Sequence, residues 1–288
     1  MDAVTAIEVL GLRKAYKETV AVDGLDLTVP RGEVFALLGP NGAGKTTTVE
    51  ILEGFRRADA GEVRVLGTDP HRAGTDWRAR IGIVLQTTGE FPELTVAEVV
   101  HHFARYYPNA DDPDTVIERV GLTAKRSART EQLSGGQKRR LDVALGIVGH
   151  PELLFLDEPT VGFDPEARRE FWELVRGLSA AGTTILLTTH YLDEAEALAD
   201  RVGVIVKGRM IAVAAPRDLG GRGDGLATVR WAGPDGPHEE RTAVPTALVA
   251  KLAEQFDGEV PGLTVTRPTL EDTYLEMIGK DAKEATEW

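Results

Sequence analysis

The chain contains no cysteine among its 288 residues. Without thiols it can form neither a disulfide framework nor a thiolate metal site, which suits a reducing compartment. Its apolar runs are strand-sized, well short of the ~20 residues that a helix needs to span a bilayer, and its N-terminus shows no signal peptide. Basic residues are outnumbered, and the formal net charge of −13 disfavours a nucleic-acid partner.

The most informative local pattern is a glycine-rich loop, residues 39–47 (GPNGAGKTT), between the apolar run 34–38 and a helix-like segment, 48–54. The glycines let several N–H groups turn inward, and the helix start adds unpaired N–H groups and a positive dipole end. Lys45 supplies a cation for phosphates, and Thr46 supplies a hydroxyl for Mg²⁺. The pattern predicts a phosphate-binding P-loop. A dinucleotide fingerprint fits less well, because its glycine spacing differs.

Strand-like runs alternate with helix-like segments along most of the chain, which predicts an α/β fold with a mostly parallel sheet. We expect an ATPase domain over residues 1–219, with a P-loop NTPase core, an N-terminal antiparallel β portion and a helical insertion at about 87–150. Residues 220–225 predict a glycine-rich linker, in which Arg222-Gly223-Asp224 is an ordinary flexible turn. Residues 226–288 predict a small C-terminal α/β appendage.

Two further patterns suit phosphate and metal chemistry. Asp157 and Glu158 end an apolar strand, where one carboxylate can hold Mg²⁺ while its neighbour takes a proton from an attacking water. Ser134, Gly135 and Gly136 start a helix, where a serine cap and two glycines make a second phosphate-binding nest. One nucleotide does not need two nests in one chain. Two copies arranged head to tail would place each nest on the other copy's nucleotide.

These motifs, with Gln86 and His190 in addition, resemble the ATPase subunits of ABC transporters in order and spacing. The likeness covers about residues 5–215 and implies ATP and Mg²⁺ as ligands and ATP hydrolysis as the activity. It implies that Glu158 is the general base, that Gln86 touches Mg²⁺ and the attacking water, and that His190 is a switch contacting the γ-phosphate. The implied Mg²⁺ ligands are Thr46, Gln86 and Asp157.

The same resemblance implies the nucleotide contacts. Tyr16 would stack on adenine, although an exposed loop tyrosine is the plainer interpretation of that residue. Ser134 and Gly136 would reach the γ-phosphate of the other copy, and Asp164 would cross the dimer interface. Phe163 departs from the leucine of many members, which changes only an apolar position. The implied nucleotide-binding set is Tyr16, Gly39, Asn41, Gly42, Gly44, Lys45, Thr46, Thr47, Ser134, Gly135, Gly136, Gln137 and Asp164.

Residues 160–165 and 268–276 are similar to those of daunorubicin-resistance ATPase subunits, which belong to the drug-export branch of the family. The resemblance implies export of a drug-like or other small substrate through a separate transmembrane permease. It also implies a second ATPase copy, in a homodimer or a heterodimer, and a cytoplasmic position on the inner face of the cell membrane. We expect the permease groove near residues 86–94, where the helical insertion meets the core.

Two other functional classes fit less well. A soluble ABC ATPase that remodels nucleic acid or ribosomes usually carries paired cassettes or long coiled coils, whereas this chain has one cassette and no heptads. A regulatory nucleotide-binding module without turnover has no need of Glu158 and His190. A neighbouring gene for a six-helix membrane protein would distinguish a transporter subunit from a remodelling ATPase.

Overall fold

The computed structural model describes residues 5–85, 91–224 and 226–284. The chain divides into two compact units, Met1–Val213 and Ala214–Trp288. The strands of the first unit, the last of them ending at the boundary, are β1 (Thr5–Tyr16), β2 (Thr19–Pro30), β3 (Val34–Leu38), β4 (Ala60–Val65), β5 (Ile81–Val84), β6 (Leu153–Asp157), β7 (Thr184–Thr188), β8 (Arg201–Val206) and β9 (Arg209–Ala214). Its helices are α1 (Lys45–Leu52), α2 (Thr75–Arg78), α3 (Val96–Ala104), α4 (Pro113–Arg119), α5 (Gly135–Ile147), α6 (Pro165–Ala180) and α7 (Leu192–Leu198).

The central sheet of the first unit has six strands in the order β5-β6-β7-β3-β8-β9. The pairs β5–β6, β6–β7, β7–β3 and β3–β8 are all parallel. Every residue of β3 and β7 is buried, because a parallel sheet is covered on both faces and such strands are apolar throughout. The predicted mostly parallel core is therefore confirmed, and the carboxyl ends of its strands lie at one edge.

The N-terminal antiparallel portion is also confirmed, as a sheet in the order β2-β1-β4. Alternate residues of β1, such as Ile7 and Val9, are fully buried, as expected for a sheet with one covered face. Tyr16 was predicted in a loop, but it is the last residue of β1 and pairs with Thr19. Gly24 was predicted at a turn, yet it lies inside β2 with φ 71°, where the register shifts.

The helical insertion contains α3, α4 and α5, as its apolar spacing predicted. Its helices begin at side-chain caps. The Thr95 hydroxyl accepts a hydrogen bond from Glu98 N in a capping box, and the Asp112 carboxylate accepts one from Thr115 N. Across the described ranges no helix is long and apolar enough to cross a bilayer.

The second unit comprises β10 (Ala227–Gly233), β11 (Gly236–Thr242), α8 (Pro245–Gln255), β12 (Thr264–Thr266) and α9 (Leu270–Glu284). Its antiparallel sheet has the order β11-β10-β12. A small core forms where Val229, Leu252 and Val260 pack together. The predicted C-terminal α/β appendage is thus present, although β9 and β11 were not predicted.

The segment predicted to be a linker forms short helical turns over Leu219–Asp224, with left-handed Gly220 and Gly221 between them. Residue 225 lies outside the described residues. The domain limits at residues 219 and 226 remain a prediction.

Candidate functional site

The candidate site lies along the carboxyl edge of the central sheet. Three adjacent strands contribute to it: β3 leads into the P-loop, β7 ends just before His190, and β6 ends at Asp157. In open parallel sheets this edge is the usual place for ligands, because loops from neighbouring strands meet there. The topology therefore brings the P-loop together with two motifs that lie more than a hundred residues later in the chain.

Two of the P-loop glycines, Gly39 and Gly44, are required by close backbone packing. A Cβ at Gly39 would lie 2.3 Å from the carbonyl oxygen of Ile205, and one at Gly44 would lie 2.3 Å from that of Ala21. Gly44 also has φ 105°, which side-chain-bearing residues rarely adopt, and it is the residue before α1. Asn41 and Thr46 are exposed at the mouth of the loop. The loop thus turns sharply and leaves the N–H groups of the helix start open to an anion.

Lys45, the first residue of α1, is folded against its own loop. Its ammonium group donates to the carbonyl oxygens of Gly39, at 2.6 Å, and Pro40, at 3.2 Å. Burial lowers the pKa of Lys45, while Glu158 and Asp157 act in the opposite direction. The lysine is only 8% exposed. Because both carboxylates act on its pKa, the ammonium group lies within their electrostatic field.

The acidic pair is tied to β7 through Thr188. The Thr188 hydroxyl donates to Asp157 Oδ1 and accepts a hydrogen bond from Glu158 N, at 3.2 Å. Glu158 N also donates to the Thr188 carbonyl oxygen, at 3.0 Å. Glu158 has φ 44°, a left-handed conformation that costs a residue with a side chain on the order of 1 kcal/mol or more. These contacts hold the strained backbone of Glu158 in place and fix the carboxyl group of Asp157.

His190 lies beside this pair. Its Nδ1 is 3.3 Å from Glu158 Oε1, and its ring stacks on Tyr191 with the centroids 4.1 Å apart. The Glu158 side chain is 20% exposed and that of His190 is 46% exposed, so both reach solvent at the sheet edge. A base that touches solvent and is oriented by a neighbouring imidazole can take a proton from water.

The donors near the P-loop fit Mg²⁺ better than a softer metal. No group of three or more His, Cys, Asp or Glu side chains that could hold a metal occurs among the described residues. A Thr46 hydroxyl and an Asp157 carboxylate are hard oxygen donors, and Mg²⁺ is typically held by one or two such groups together with substrate phosphates and water. Gln86, the third predicted ligand, lies outside the described residues.

The second nest forms the start of α5. Ser134 caps the helix: its hydroxyl accepts from Gln137 N at 3.3 Å, and Gln137 Oε1 accepts from Ser134 N at 3.1 Å. Gly135 and Gly136 form the first turn of the helix. The capping box satisfies two of the backbone donors and leaves the remaining N–H groups of the turn directed outwards.

Two other predicted nucleotide-site residues, Asp164 and Tyr16, make contacts within their own chain. The Asp164 carboxylate accepts from Ala167 N at 2.8 Å and caps α6. Tyr16 is 38% exposed, with the Arg56 guanidinium 5.5 Å and the Lys14 ammonium 5.6 Å from its ring centre. The tyrosine is thus a partly exposed aromatic surface with two cations beside it.

Two residues that organise this site were missed from the sequence. Thr188 carried no signal beyond its place before His190. Arg139, near the start of α5, is only 7% exposed and donates to the carbonyl oxygens of Leu85, Asp157 and Pro159. Arg139 therefore joins the helix of the second nest to the strand end that bears the acidic pair.

Comparison with known proteins gives a consistent result. A sequence profile of the ABC transporter family matches residues 22–161. The Nod factor export ATP-binding protein I of Paraburkholderia xenovorans (strain LB400) is 39% identical, over 97% of this chain and 99% of the relative. The daunorubicin/doxorubicin resistance ATP-binding protein DrrA of Streptomyces peucetius is 38% identical, over 96% of this chain and 93% of the relative.

Solved structures agree with the sequence relatives. The structure of cbiO1 from Clostridium perfringens, part of the ABC transporter complex cbiONQ, matches with a TM-score of 0.69 at 31% identity. The match covers 75% of this chain and 90% of cbiO1. Since sequence relatives of this similarity extend over nearly its whole length, the chain belongs to the ABC transporter ATP-binding proteins, and it is an ATPase.

Proposed function

We propose that the chain is the motor subunit of a membrane exporter and works as a head-to-tail pair around two ATP molecules. The observation that carries the pairing is the space around the second nest. A Cβ at Gly135 would meet no atom within 4 Å, and one at Gly136 would meet only Ala167 Cβ, at 3.8 Å. Gly39 and Gly44 are confined by their own chain's backbone, but Gly135 and Gly136 are not. We assign the open space to the nucleotide of the partner copy.

Nucleotide binding is assigned to the P-loop. On binding, Lys45 would exchange two neutral carbonyl partners for the β- and γ-phosphates, and charge-assisted hydrogen bonds are the stronger kind. Thr46, Asp157 and Gln86 would hold Mg²⁺, which when bound supplies positive charge beside the β- and γ-phosphates. Tyr16 would stack on adenine through its exposed ring. The other backbone and side-chain contacts would come from Gly39, Asn41, Gly42, Gly44 and Thr47.

The chemistry is assigned to the strand ends. Glu158 would accept the proton of the attacking water, with His190 orienting its carboxylate and contacting the γ-phosphate. Ser134, with Gly135, Gly136 and Gln137, would close the site from the other copy, and Asp164 would lie at the interface between the copies. Because the nucleotide is shared, loss of the γ-phosphate would release the two copies from each other.

A groove between the helical insertion and the core is the proposed docking site for a separate transmembrane permease. Its volume is about 580 Å³, and its walls include Phe91, Phe103 and Tyr107. Phe55 also lines it and is 67% exposed. Exposed aromatic side chains grouped around a concavity are typical of protein-binding surfaces. Phe91 falls within the range that the sequence predicted for this contact.

Export is the direction that the relatives support, since their names describe Nod factor export and daunorubicin resistance. We propose a drug-like or other small substrate, with the ATPase on the cytoplasmic, inner face of the cell membrane. The second ATPase copy would be identical or a close relative.

Efflux in the natural host tests this function. A strain lacking the gene should retain members of a panel of fluorescent drug-like compounds, and the wild-type gene should restore their efflux. Lys45→Ala should not restore it, because losing a charge-assisted contact weakens nucleotide binding by about tenfold or more. Lys251→Ala, which changes an exposed lysine of the second unit, is the matched control. Equal efflux from the deletion strain and the complemented strain would contradict the proposal.

A further inference from the structure

The proposed docking groove contains a buried carboxyl group. Glu53 follows the last residue of α1, lines the groove and is 7% exposed. Its backbone N–H donates to the Val49 carbonyl oxygen, at 2.9 Å. No hydrogen bond or ion pair joins its side chain to any other described residue. A carboxyl group that is largely buried and has no protein partner is costly, so its presence in the wall of an accessible groove needs an explanation.

The charges around Glu53 are mainly negative. Burial, together with the nearby carboxylates of Asp157 and Glu50, raises the pKa of Glu53 to about 8. Asp142, on α5, lines the same groove. Among the described residues of the lining the one arginine is Arg78, which is exposed at the end of α2 and makes no ion pair with Glu53. A cation entering the groove would therefore meet a favourable field at Glu53.

We propose that Glu53 receives a lysine or arginine side chain from the cytosolic segment of the membrane partner, and that neighbouring apolar side chains of that segment pack on Phe91 and Phe103. The inference rests on the proposed docking function of the groove and names the chemistry of its occupant. The pairing would satisfy the buried carboxyl, which a wholly apolar segment would leave unpaired. A permease without a suitably placed cation would be rejected, so Glu53 would determine specificity.

The position of Glu53 also connects the groove to the nucleotide. α1 begins at Lys45 in the P-loop and ends one residue before Glu53. Eight residues of α-helix span roughly 12 Å. An occupant paired with Glu53 would contact one end of the helix whose other end holds the phosphates.

Photo-crosslinking tests the pairing in the full-length chain. Phe55 is replaced with the photoreactive residue p-benzoylphenylalanine, the protein is irradiated in its host, and the crosslinked segment is sequenced by mass spectrometry. We expect a cytosolic segment of a multispanning membrane protein, with a lysine or arginine within one helical turn of the crosslinked residue.

Binding to host membrane vesicles that contain this partner is then measured. Glu53→Gln keeps the shape of the side chain but removes the carboxyl group that would ionise on pairing with a cation, so binding should weaken by about tenfold or more. Glu173→Gln is the control: Glu173 pairs with Arg176 on the exposed surface of α6, does not line the groove and should not affect binding. Thermal unfolding of each variant checks that the chain is folded.

The outcomes separate the two proposals. A permease crosslinked at Phe55, with normal binding by Glu53→Gln or no basic residue in its segment, would overturn the role of Glu53 and leave the docking site standing. Crosslinking to no membrane protein from this position would overturn the docking site and the inference with it.

Discussion

At the scale of single residues, one hydroxyl group contacts both acidic residues of the candidate site. The Thr188 hydroxyl donates to the Asp157 carboxylate and accepts a hydrogen bond from Glu158 N. The Thr188 carbonyl oxygen accepts from the same N–H group. Because Glu158 has a left-handed backbone, its carboxylate depends on these contacts for its direction. We infer that Thr188 positions the acidic pair without itself touching the nucleotide.

Removal of this hydroxyl should slow turnover more than it weakens ATP binding. Thr188→Val keeps the shape and the strand preference but loses both side-chain hydrogen bonds, at a cost of about 1–3 kcal/mol in folding stability. We expect kcat to fall by about tenfold to a hundredfold, because small misplacements of catalytic groups are costly. ATP affinity, measured separately by fluorescent-nucleotide binding, should change little.

Two variants make this prediction specific. Thr188→Ser restores the hydroxyl and should recover most of the turnover. Thr184→Val removes another buried threonine hydroxyl of β7, which accepts from Gly32 N, and should leave kcat near normal. Normal turnover in Thr188→Val, or no recovery in Thr188→Ser, would show that Thr188 has no positioning role.

At the scale of the elements, the helices and strands with strong apolar periodicity were predictable from the sequence. Strands that form only because they pair with a neighbouring strand were not. The buried strands around the P-loop and the helices of the insertion follow directly from apolar spacing. β11 has the sequence GPHEERT, which has no apolar alternation, and it is a strand because it pairs with β10 along its whole length. β9 follows Lys207 and Gly208, both with positive φ, a tight-turn signal that the prediction did not use.

The candidate site was likewise predictable only in part: its motif residues could be recognised from the sequence, and the residues that support them could not. Its motif residues carry their own signals, because glycine, lysine and paired acids have specific roles beside phosphates. Arg139 and Thr188 carry none, since their partners are backbone and carboxyl groups far away in sequence. Only the folded chain brings Arg139 to the carbonyl oxygen of Asp157.

An ion-pair network joins three elements at the opposite end of β6. Glu152 binds Arg80, which precedes β5, and Arg31, which precedes β3. Hydrogen bonds from Arg80 and then Arg31 lower the pKa of Glu152 from 4.5 to about 2. A carboxyl whose pKa is lowered by folding stabilises the folded state above pH 4.5, and this stabilisation is lost as the pH falls towards 2.

Glu152→Gln should therefore lower the thermal midpoint at neutral pH. The difference from wild type should shrink as the pH falls from 4.5 towards 2 and should not grow at higher pH. Glu173→Gln is the control, because Glu173 pairs with Arg176 on the exposed surface of α6, where an ion pair contributes little. Differential scanning fluorimetry across this range checks the prediction, and a pH-independent difference would contradict it.

At the scale of the whole molecule, the predicted domain limits are open to direct measurement. The second unit has its own core of Val229, Leu252 and Val260, so it should resist cleavage once separated. Brief trypsin treatment should cut first at Arg217 or Arg222, in or just before the linker predicted at residues 220–225. Mass spectrometry of the first fragments checks this. Early cuts inside residues 226–284 would contradict an independent C-terminal domain.

The central claim is that hydrolysis requires two copies and the carboxylate of Glu158. Glu158→Gln keeps the shape of the side chain and removes most of its basicity, and loss of a general base typically slows a reaction by ~10²–10⁴. With ATP and Mg²⁺ the variant should therefore bind nucleotide, turn over very slowly and accumulate as a dimer. Adding Gly135→Asp should abolish that dimer without harming the fold. A side chain at position 135 would meet no atom of its own chain within 4 Å of its Cβ, and a carboxylate suits a helix N-terminus. The same carboxylate would repel the phosphates bound by the partner copy.

Size-exclusion chromatography with light scattering, beside steady-state turnover, measures both properties of Glu158→Gln on one sample. Our account predicts twice the 31.1 kDa chain mass with ATP and Mg²⁺, and a single chain mass without nucleotide. A variant that stays monomeric and keeps near-normal turnover at every protein concentration would contradict both the pairing and the role of Glu158.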